Sequence, residues 1–387
     1  MENFSFYAPT RILFGKGALA GLAEFLTNDV KTVLLAYGGN SVKKNGIFEQ
    51  VTHLLDQRNV SYVELPGIEP NPKLSSVREG IRLCRSHQAD AVLAVGGGSI
   101  IDCCKAICAG VFYEGDPWDL VLDHSKVKKA LPLYTVLTIA ATGSEMNGNG
   151  VISNPETHDK KAVKSDLLRP VCSVLDPTYT YTVPAFQTAS GVADMMSHIF
   201  EGYFNRTRHA GPQDHMAEGL LRTCLEYGPI AVEQPENYDA RANLMWTSSL
   251  ALNGLLGSGK GGNWSCHPME HPLSAYHDIT HGAGLAVLTP AWMEYIISRD
   301  TVGKFADYGR NVLELDPELP DVEVAETAIA MTRDFFLSLG LPATLSELGV
   351  TEEHLEEMAE KAANDRLANG YVPLTKEDVL AIYRSCL

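Results

Sequence analysis

Long apolar runs are missing from this chain of 387 residues. No stretch approaches the roughly 18 consecutive apolar residues that a membrane-spanning helix needs. The opening Met1-Glu2-Asn3-Phe4-Ser5-Phe6 shows no basic segment followed by an apolar one, so no secretory leader is read there. The expectation is a cytoplasmic protein with no membrane partner. Positive charge is scarce too: 31 Lys and Arg face 48 Asp and Glu, for a formal net charge of −17, and no basic block exceeds a pair such as Lys43-Lys44. That argues against a nucleic-acid partner, which needs a basic patch. The 8 cysteines, at 84, 103, 104, 108, 172, 224, 266 and 386, include no CxxC pair and read as reduced thiols. Cys104 and Cys108 stand four apart on a predicted helix and are read as packing residues rather than ligands. Low-complexity linkers and repeats of solenoid period are also absent.

What is present is enough apolar sequence for a substantial core. The chain is 45% hydrophobic, and single cores rarely grow past roughly 250 to 300 residues, so two domains are expected. Residues 1–183 read as α/β. An alternating segment at 4–7 and a strand and turn at 11–15 come first, then apolar strands at 31–37, 60–65, 91–95, 133–139 and 171–175. Amphipathic helices ending near Gln57 and His87 separate the early strands. Such alternation implies a Rossmann-like, mostly parallel sheet covered on both faces. Residues 184–387 read as all-helical, with helices over 186–204, 213–227, 238–256, 281–298, 322–339 and 375–386, the fifth closed by Gly340 and Pro342.

The strand at 91–95 runs into Gly96-Gly97-Gly98-Ser99 and then helix-compatible sequence through Ala109. Strand, glycine turn and helix N-terminus together bind phosphate, because the backbone approaches closely and free N–H groups and the helix dipole favour negative charge. The motif is not the GxGxxG dinucleotide fingerprint. Residues 140–150, rich in small, hydroxyl and amide side chains, follow another strand, at the end where open α/β sheets bind ligands.

Asp194 and His198 stand four apart in a run without Pro or internal Gly, so a helix stacks them on one face. Of 12 histidines, His267, His271, His277 and His281 fall in one short segment. Pro268 suits the N1 position of a helix that would place His267 and His271 one turn apart. One carboxylate with imidazoles suits Fe or Zn better than Ca or Mg, and helices of a bundle can hold a metal between them. His271 and His277 are the weakest candidates for direct ligation. A phosphate-binding α/β domain joined to a metal-binding helical one points to hydride transfer from a dinucleotide to a metal-polarised carbonyl.

The sequence resembles the iron-containing, group III alcohol dehydrogenase family, and the branch of NAD(P)H-dependent butanol dehydrogenases and broad-range aldehyde reductases in particular. The likeness spans nearly the whole chain, through Pro9-Thr10-Arg11-Ile12-Leu13-Phe14-Gly15-Lys16-Gly17, Tyr37-Gly38-Gly39-Asn40-Ser41, Gly67-Ile68-Glu69-Pro70-Asn71-Pro72, Gly96-Gly97-Gly98-Ser99, Ala141-Thr142-Gly143-Ser144-Glu145, Asn253-Gly254 and residues 265–282. The resemblance implies a dehydroquinate synthase-like, iron-alcohol-dehydrogenase fold with 1–183 binding the dinucleotide and 184–387 the metal. It implies Asp194, His198, His267 and His281 as ligands of Fe2+ or Zn2+, and His271 as a proton relay outside the ligand set. It matches Gly38, Gly39 and Ser41 to the nucleotide loop, Asn71 to an adenosine-side contact, and Gly97, Gly98, Ser99 and Asp102 to the pyrophosphate turn. Thr138, Thr142, Asn147 and Lys160 match residues around the phosphates and nicotinamide ribose, although Lys160, in Asp159-Lys160-Lys161, reads as solvated surface from charge alone.

The implied activity is reversible hydride transfer between NADP or NAD and a small aldehyde or alcohol such as butanal, in a homodimer. Where the branch often carries glycine, this chain has Asn40; being neutral and close to Lys43 and Lys44, it is expected to admit NADPH. A polyol dehydrogenase and a dehydroquinate synthase-like lyase are the alternatives. The lyase needs a basic pocket, whereas Met195, Met196, Trp264, Met269 and Tyr276 beside the metal segments suggest an apolar one.

Overall fold

The computed structural model describes residues 1–207, 209–261, 264–363 and 365–387. They form two compact units, each discontinuous in sequence: Tyr7–Val183 with Pro235–Asn253, and Met1–Phe6 with Pro184–Gln234 and Gly254–Leu387.

The first unit is built on strands β1 (Arg11–Phe14), β2 (Thr32–Tyr37), β3 (Ser61–Leu65), β4 (Ala91–Gly96), β5 (Leu133–Leu137), β6 (Asn149–Asn154), β7 (Asp159–Lys164) and β8 (Cys172–Leu175). Six of them make one sheet in the order β1-β8-β5-β4-β2-β3, and every neighbouring pair is parallel. Register sets Val33 opposite Ala91, Val92 opposite Leu133 and Tyr134 opposite Cys172. The central strands are continuous apolar runs because both faces are covered. Alternate side chains serve opposite cores: Leu34, Ala36, Val92 and Ala94 join Ile101, Cys104 and Cys108 on one face, while Val33, Leu35, Leu93 and Val95 join Val51 and Leu55 on the other.

From β2 the chain moves outward to β3, then returns to the other side of β2 as β4. Crossovers that leave β2 and β4 in opposite directions open a crevice at their carboxyl ends, where open α/β sheets bind ligands. The loop at 38–41 and the glycine turn at 96–99 begin there.

Three features depart from the sequence reading. Residues 4–7 form no strand, and Met1–Phe6 belongs to the helical unit, where the Glu2 N–H donates to the Gly259 carbonyl at 2.8 Å. β6 and β7 form an antiparallel pair with Ser153 opposite Lys160; their polar, charged sequence had hidden them. The helix Tyr238–Leu252 is grouped with the sheet, tied to it by the Ser249 hydroxyl, which donates to the buried Glu145 carboxylate.

The second unit contains helices Ala185–Tyr203, Gly211–Glu233, Cys266–His277, His281–Ile296, Val302–Leu313, Asp321–Ser338, Leu355–Ala362 and Lys376–Ser385. Ala185–Tyr203 is buried almost all round, which its apolar sequence permits. Phe204 packs edge-on to Trp292, with ring centroids 6.1 Å apart, and lies 4.6 Å from Phe305. Val302–Leu313 and Leu355–Ala362 lie outside the helices read from the sequence, although each carries an amphipathic pattern: Phe305, Ala306, Tyr308 and Val312 are buried on the first, and Leu355, Met358, Ala359 and Ala362 on the second. Among the described residues no helix is long and apolar enough to cross a membrane.

Candidate active site

The helical unit gathers the histidines. Ala185–Tyr203 carries Asp194 and His198 one turn apart, with Oδ1 and Nδ1 separated by 3.4 Å. His267 lies in the first turn of Cys266–His277, and His281 begins the next helix. Pro268 occupies the third helical position rather than the first, still within the turn whose N–H groups lack helical partners. Asp194 Oδ1 is 3.7 Å from His267 Nε2 and 3.9 Å from His281 Nε2. One ligand atom each from Asp194, His267 and His281 fall within 4.8 Å of one another. His198 stacks on His267 with ring centroids 4.4 Å apart.

Gly282 permits the convergence. A Cβ there would sit 2.0 Å from the Ser190 carbonyl oxygen, so only glycine lets the helix carrying His281 approach the helix carrying Asp194 so closely.

The residues fit a metal. Asp194 Oδ1, His198 Nδ1 and His267 Nε2 are buried without hydrogen-bond partners, and such atoms are expensive unless something satisfies them. An acidic oxygen and imidazole nitrogens around one point are the donor set of Fe2+ or Zn2+. Burial pushes His198 down to about 3 against the pull of Asp194. Burial would raise Asp194, but the surrounding imidazoles, His198 foremost, hold it well below the usual carboxylate range. At His267 burial acts downward and is outweighed by the Asp194 and Glu201 carboxylates, which carry it up to about 9.

Two carboxylates that the sequence reading missed stand behind the imidazoles. Glu201 accepts the N–H groups of Ser265 at 2.7 Å and His267 at 3.0 Å, and faces His267 Nδ1 at 3.1 Å. The fully buried Glu270 is hydrogen-bonded to His281 Nδ1 and accepts from the Ser274 hydroxyl. Both pairs leave Nε2 on the side of Asp194. For Glu201 the signal available in sequence was an acid inside a largely apolar helix. His271 lies beside this group, 5.7 Å from the His281 ring centroid. Glu270, His271 and His281 also bring one ligand atom each within 4.8 Å of one another, and His277 belongs neither to that group nor to the group of Asp194, His267 and His281 among the described residues. Of the side chains expected to line an apolar pocket, Trp264 does pack on His198 and His267. Met195, Met196 and Met269 are buried in the core, and the Tyr276 hydroxyl donates to Glu357 at the surface.

The dinucleotide candidates all fall in the sheet unit. Gly97 caps the helix Gly98–Gly110 in an extended conformation, and a Cβ on Gly98 would meet Thr142 Oγ1 at 2.2 Å. Gly38 and Gly39 follow β2, Ser41 opens the short helix Ser41–Lys44, and Ser99 follows Gly98 at the N-terminus of its helix. Asn71 is buried in a left-handed conformation, φ +49°, which asparagine tolerates. The Thr138 N–H donates to the Gly96 carbonyl at 3.1 Å, tying the loop after β5 to the glycine turn.

Asp102 and Asn147 spend hydrogen bonds on the protein itself. Asp102 accepts from the Ser144 hydroxyl at 2.5 Å and the Val151 N–H at 2.9 Å. Asn147 accepts from Lys105 Nζ and the Asn149 N–H, each at 2.9 Å, and donates to the Gly143 carbonyl at 2.9 Å. Lys160 is not solvated surface: on β7 it is only 8% exposed. Lys43 is paired with Glu64 at 3.0 Å and lies over the Phe48 ring, 4.4 Å from its centroid.

Residues 9–177 match the family described as iron-containing alcohol dehydrogenase, and residues 188–387 its C-terminal part. The chain belongs to the iron-containing alcohol dehydrogenase family: it is an oxidoreductase, a metal-dependent alcohol dehydrogenase. It is 52% identical over 388 residues, 99% of each chain, to NADH-dependent butanol dehydrogenase A of Clostridium acetobutylicum. To the NADPH-dependent aldehyde reductase YqhD of Escherichia coli it is 44% identical over 366 residues, 93% of each. The crystal structure of NADH-dependent butanol dehydrogenase A from Thermotoga maritima superimposes with a TM-score of 0.95 at 39% identity, covering 100% of this chain and 99% of that one.

Proposed function

We propose that this chain interconverts short to medium aliphatic aldehydes such as butanal and their alcohols, using NADH or NADPH, at an iron or zinc held by Asp194, His198, His267 and His281. The observation that carries the reading is the convergence of buried, unpartnered atoms of Asp194, His198 and His267 in a chain of this family. The two cofactor choices are supported by relatives named for each, and Asn40 carries no charge to reject either.

When bound, the metal supplies Lewis acidity toward the carbonyl oxygen and the reduced nicotinamide supplies hydride. Asp194 contributes the negative charge of the ligand set. Glu201 and Glu270 orient His267 and His281 through their Nδ1 atoms. His271, half-buried beside His281, holds the proton that the alcohol product takes up. Gly38, Gly39, Ser41 and Asn71 receive the adenosine side of the dinucleotide, and Gly97, Gly98 and Ser99 the pyrophosphate. Thr138, Thr142 and Lys160 receive the nicotinamide side, while Asp102 and Asn147 take part mainly by bracing the loops around it. On this reading residues 1–183 carry dinucleotide binding, residues 184–387 carry the metal, and the enzyme is a cytoplasmic homodimer.

Anaerobic turnover of butanal by protein loaded with Fe(II) or Zn(II), assayed separately with NADPH and NADH, tests the reading. Metal-dependent turnover is expected with both dinucleotides. Absence of turnover despite bound metal would exclude butanal and favour a polyol.

A further inference from the structure

Lys105 is fully buried, lies outside every set of residues assigned above, and spends all three of its N–H donors on one short segment. Its Nζ donates to Ser144 Oγ at 2.7 Å, Asn147 Oδ1 at 2.9 Å and the Asn149 carbonyl at 2.6 Å. It stands on the helix Gly98–Gly110 about two turns beyond the glycine turn. One turn nearer that turn, Asp102 takes the Ser144 hydroxyl and the Val151 N–H. The helix that follows the glycine turn is thereby pinned to residues 144–151, which include Asn147 and continue the loop carrying Thr142.

A buried cation is costly to desolvate, and here the cost is offset by hydrogen bonds to three acceptors of one segment, each of which an apolar side chain of the same length would leave without this donor. Burial drives the lysine down to about 8, with Asp102 and Glu145 opposing it. With every donor aimed at one segment, the ammonium fixes where residues 144–149 lie against the helix. We propose that Lys105 is a positioning residue for dinucleotide binding: it sets the spacing between the pyrophosphate turn at 97–99 and the loop at 142–147. The inference rests on the dinucleotide reading of those two segments.

The test compares wild type, Lys105→Met, Ser144→Ala and the double variant by dissociation constants for NADPH and NADH, from nicotinamide fluorescence, alongside melting temperature and bound iron. Lys105→Met is expected to weaken both dinucleotides about tenfold, the loss of one well-placed hydrogen bond or more, with iron content unchanged. Ser144→Ala, which keeps the lysine but removes one of its acceptors and a donor to Asp102, should weaken binding about threefold, and the double variant should be no worse than Lys105→Met because both act through one network. A folded Lys105→Met protein of wild-type dinucleotide affinity, even with a lowered melting temperature, overturns the proposal. If Lys105→Met does not fold, unchanged affinity in Ser144→Ala overturns it instead. A wild-type chain that binds neither dinucleotide overturns the underlying reading of the site and this inference with it, whereas failure of the variants alone overturns only the role of Lys105.

Discussion

Glu201 and His267 are 66 positions apart in sequence, yet one oxygen of Glu201 accepts both the backbone N–H of His267, at 3.0 Å, and the proton on its Nδ1, at 3.1 Å. A carboxylate only accepts here, so Nδ1 carries the hydrogen and Nε2 is left toward Asp194. Removing the carboxylate frees the ring to turn and to hold the wrong tautomer. Glu201→Ala is therefore expected to lower metal affinity about 10- to 100-fold, and Glu201→Gln, which still offers an oxygen, by less. Competition against a chromophoric chelator measures this; a folded Glu201→Ala protein with unchanged affinity would remove the orienting role.

Metal binding should depend on pH through His267. Its folded value of about 9 exceeds the ordinary 6.5. In the metal-free protein, the stability this proton contributes is fully present below pH 6.5 and is lost as pH rises through 9. A metal must displace the same proton, so apparent affinity should climb up to about tenfold per pH unit below pH 9 and then level. A flat Zn(II) affinity across that range, or one that falls with rising pH, contradicts the assignment.

Gly98→Ala places a methyl 2.2 Å from Thr142 Oγ1 and 2.5 Å from its Cγ2. The helix start or the loop must shift, at a cost of about 1–3 kcal/mol. Dinucleotide binding should fall much further than metal binding, and parallel titrations of the two ligands test that. Equal losses would mean that the turn affects the fold as a whole rather than the dinucleotide.

Glu64 neutralises Lys43 beside the nucleotide loop. Glu64→Gln leaves that cation available to a 2′-phosphate, so the ratio of kcat/KM for NADPH to that for NADH should rise, by about threefold for an exposed pair of this kind. An unchanged ratio would show that neither Glu64 nor Lys43 takes part in the choice of dinucleotide.

The sequence by itself determined what depends on near neighbours. Asp194 and His198 share a helical face because four residues make about one turn. The strand, glycines and helix around Gly96 to Ser99 are a local pattern, and the apolar runs at β2, β4 and β5 announce a sheet buried on both sides. Only the tertiary structure decided the fate of the charged groups. Glu201 and Lys105 stand in apolar helices, but the partners that satisfy them, Ser265 and His267 in the first case and residues 39 to 44 positions away in the second, cannot be read from the neighbouring sequence. Lys160 is withdrawn from solvent on β7, which pairs with β6, and the helix Tyr238–Leu252 is grouped with the sheet, to which Ser249 ties it through Glu145. The reason is common to all four: whether a polar side chain is buried depends on the partners that satisfy it, and a chain read one residue at a time does not reveal which distant partners it will meet.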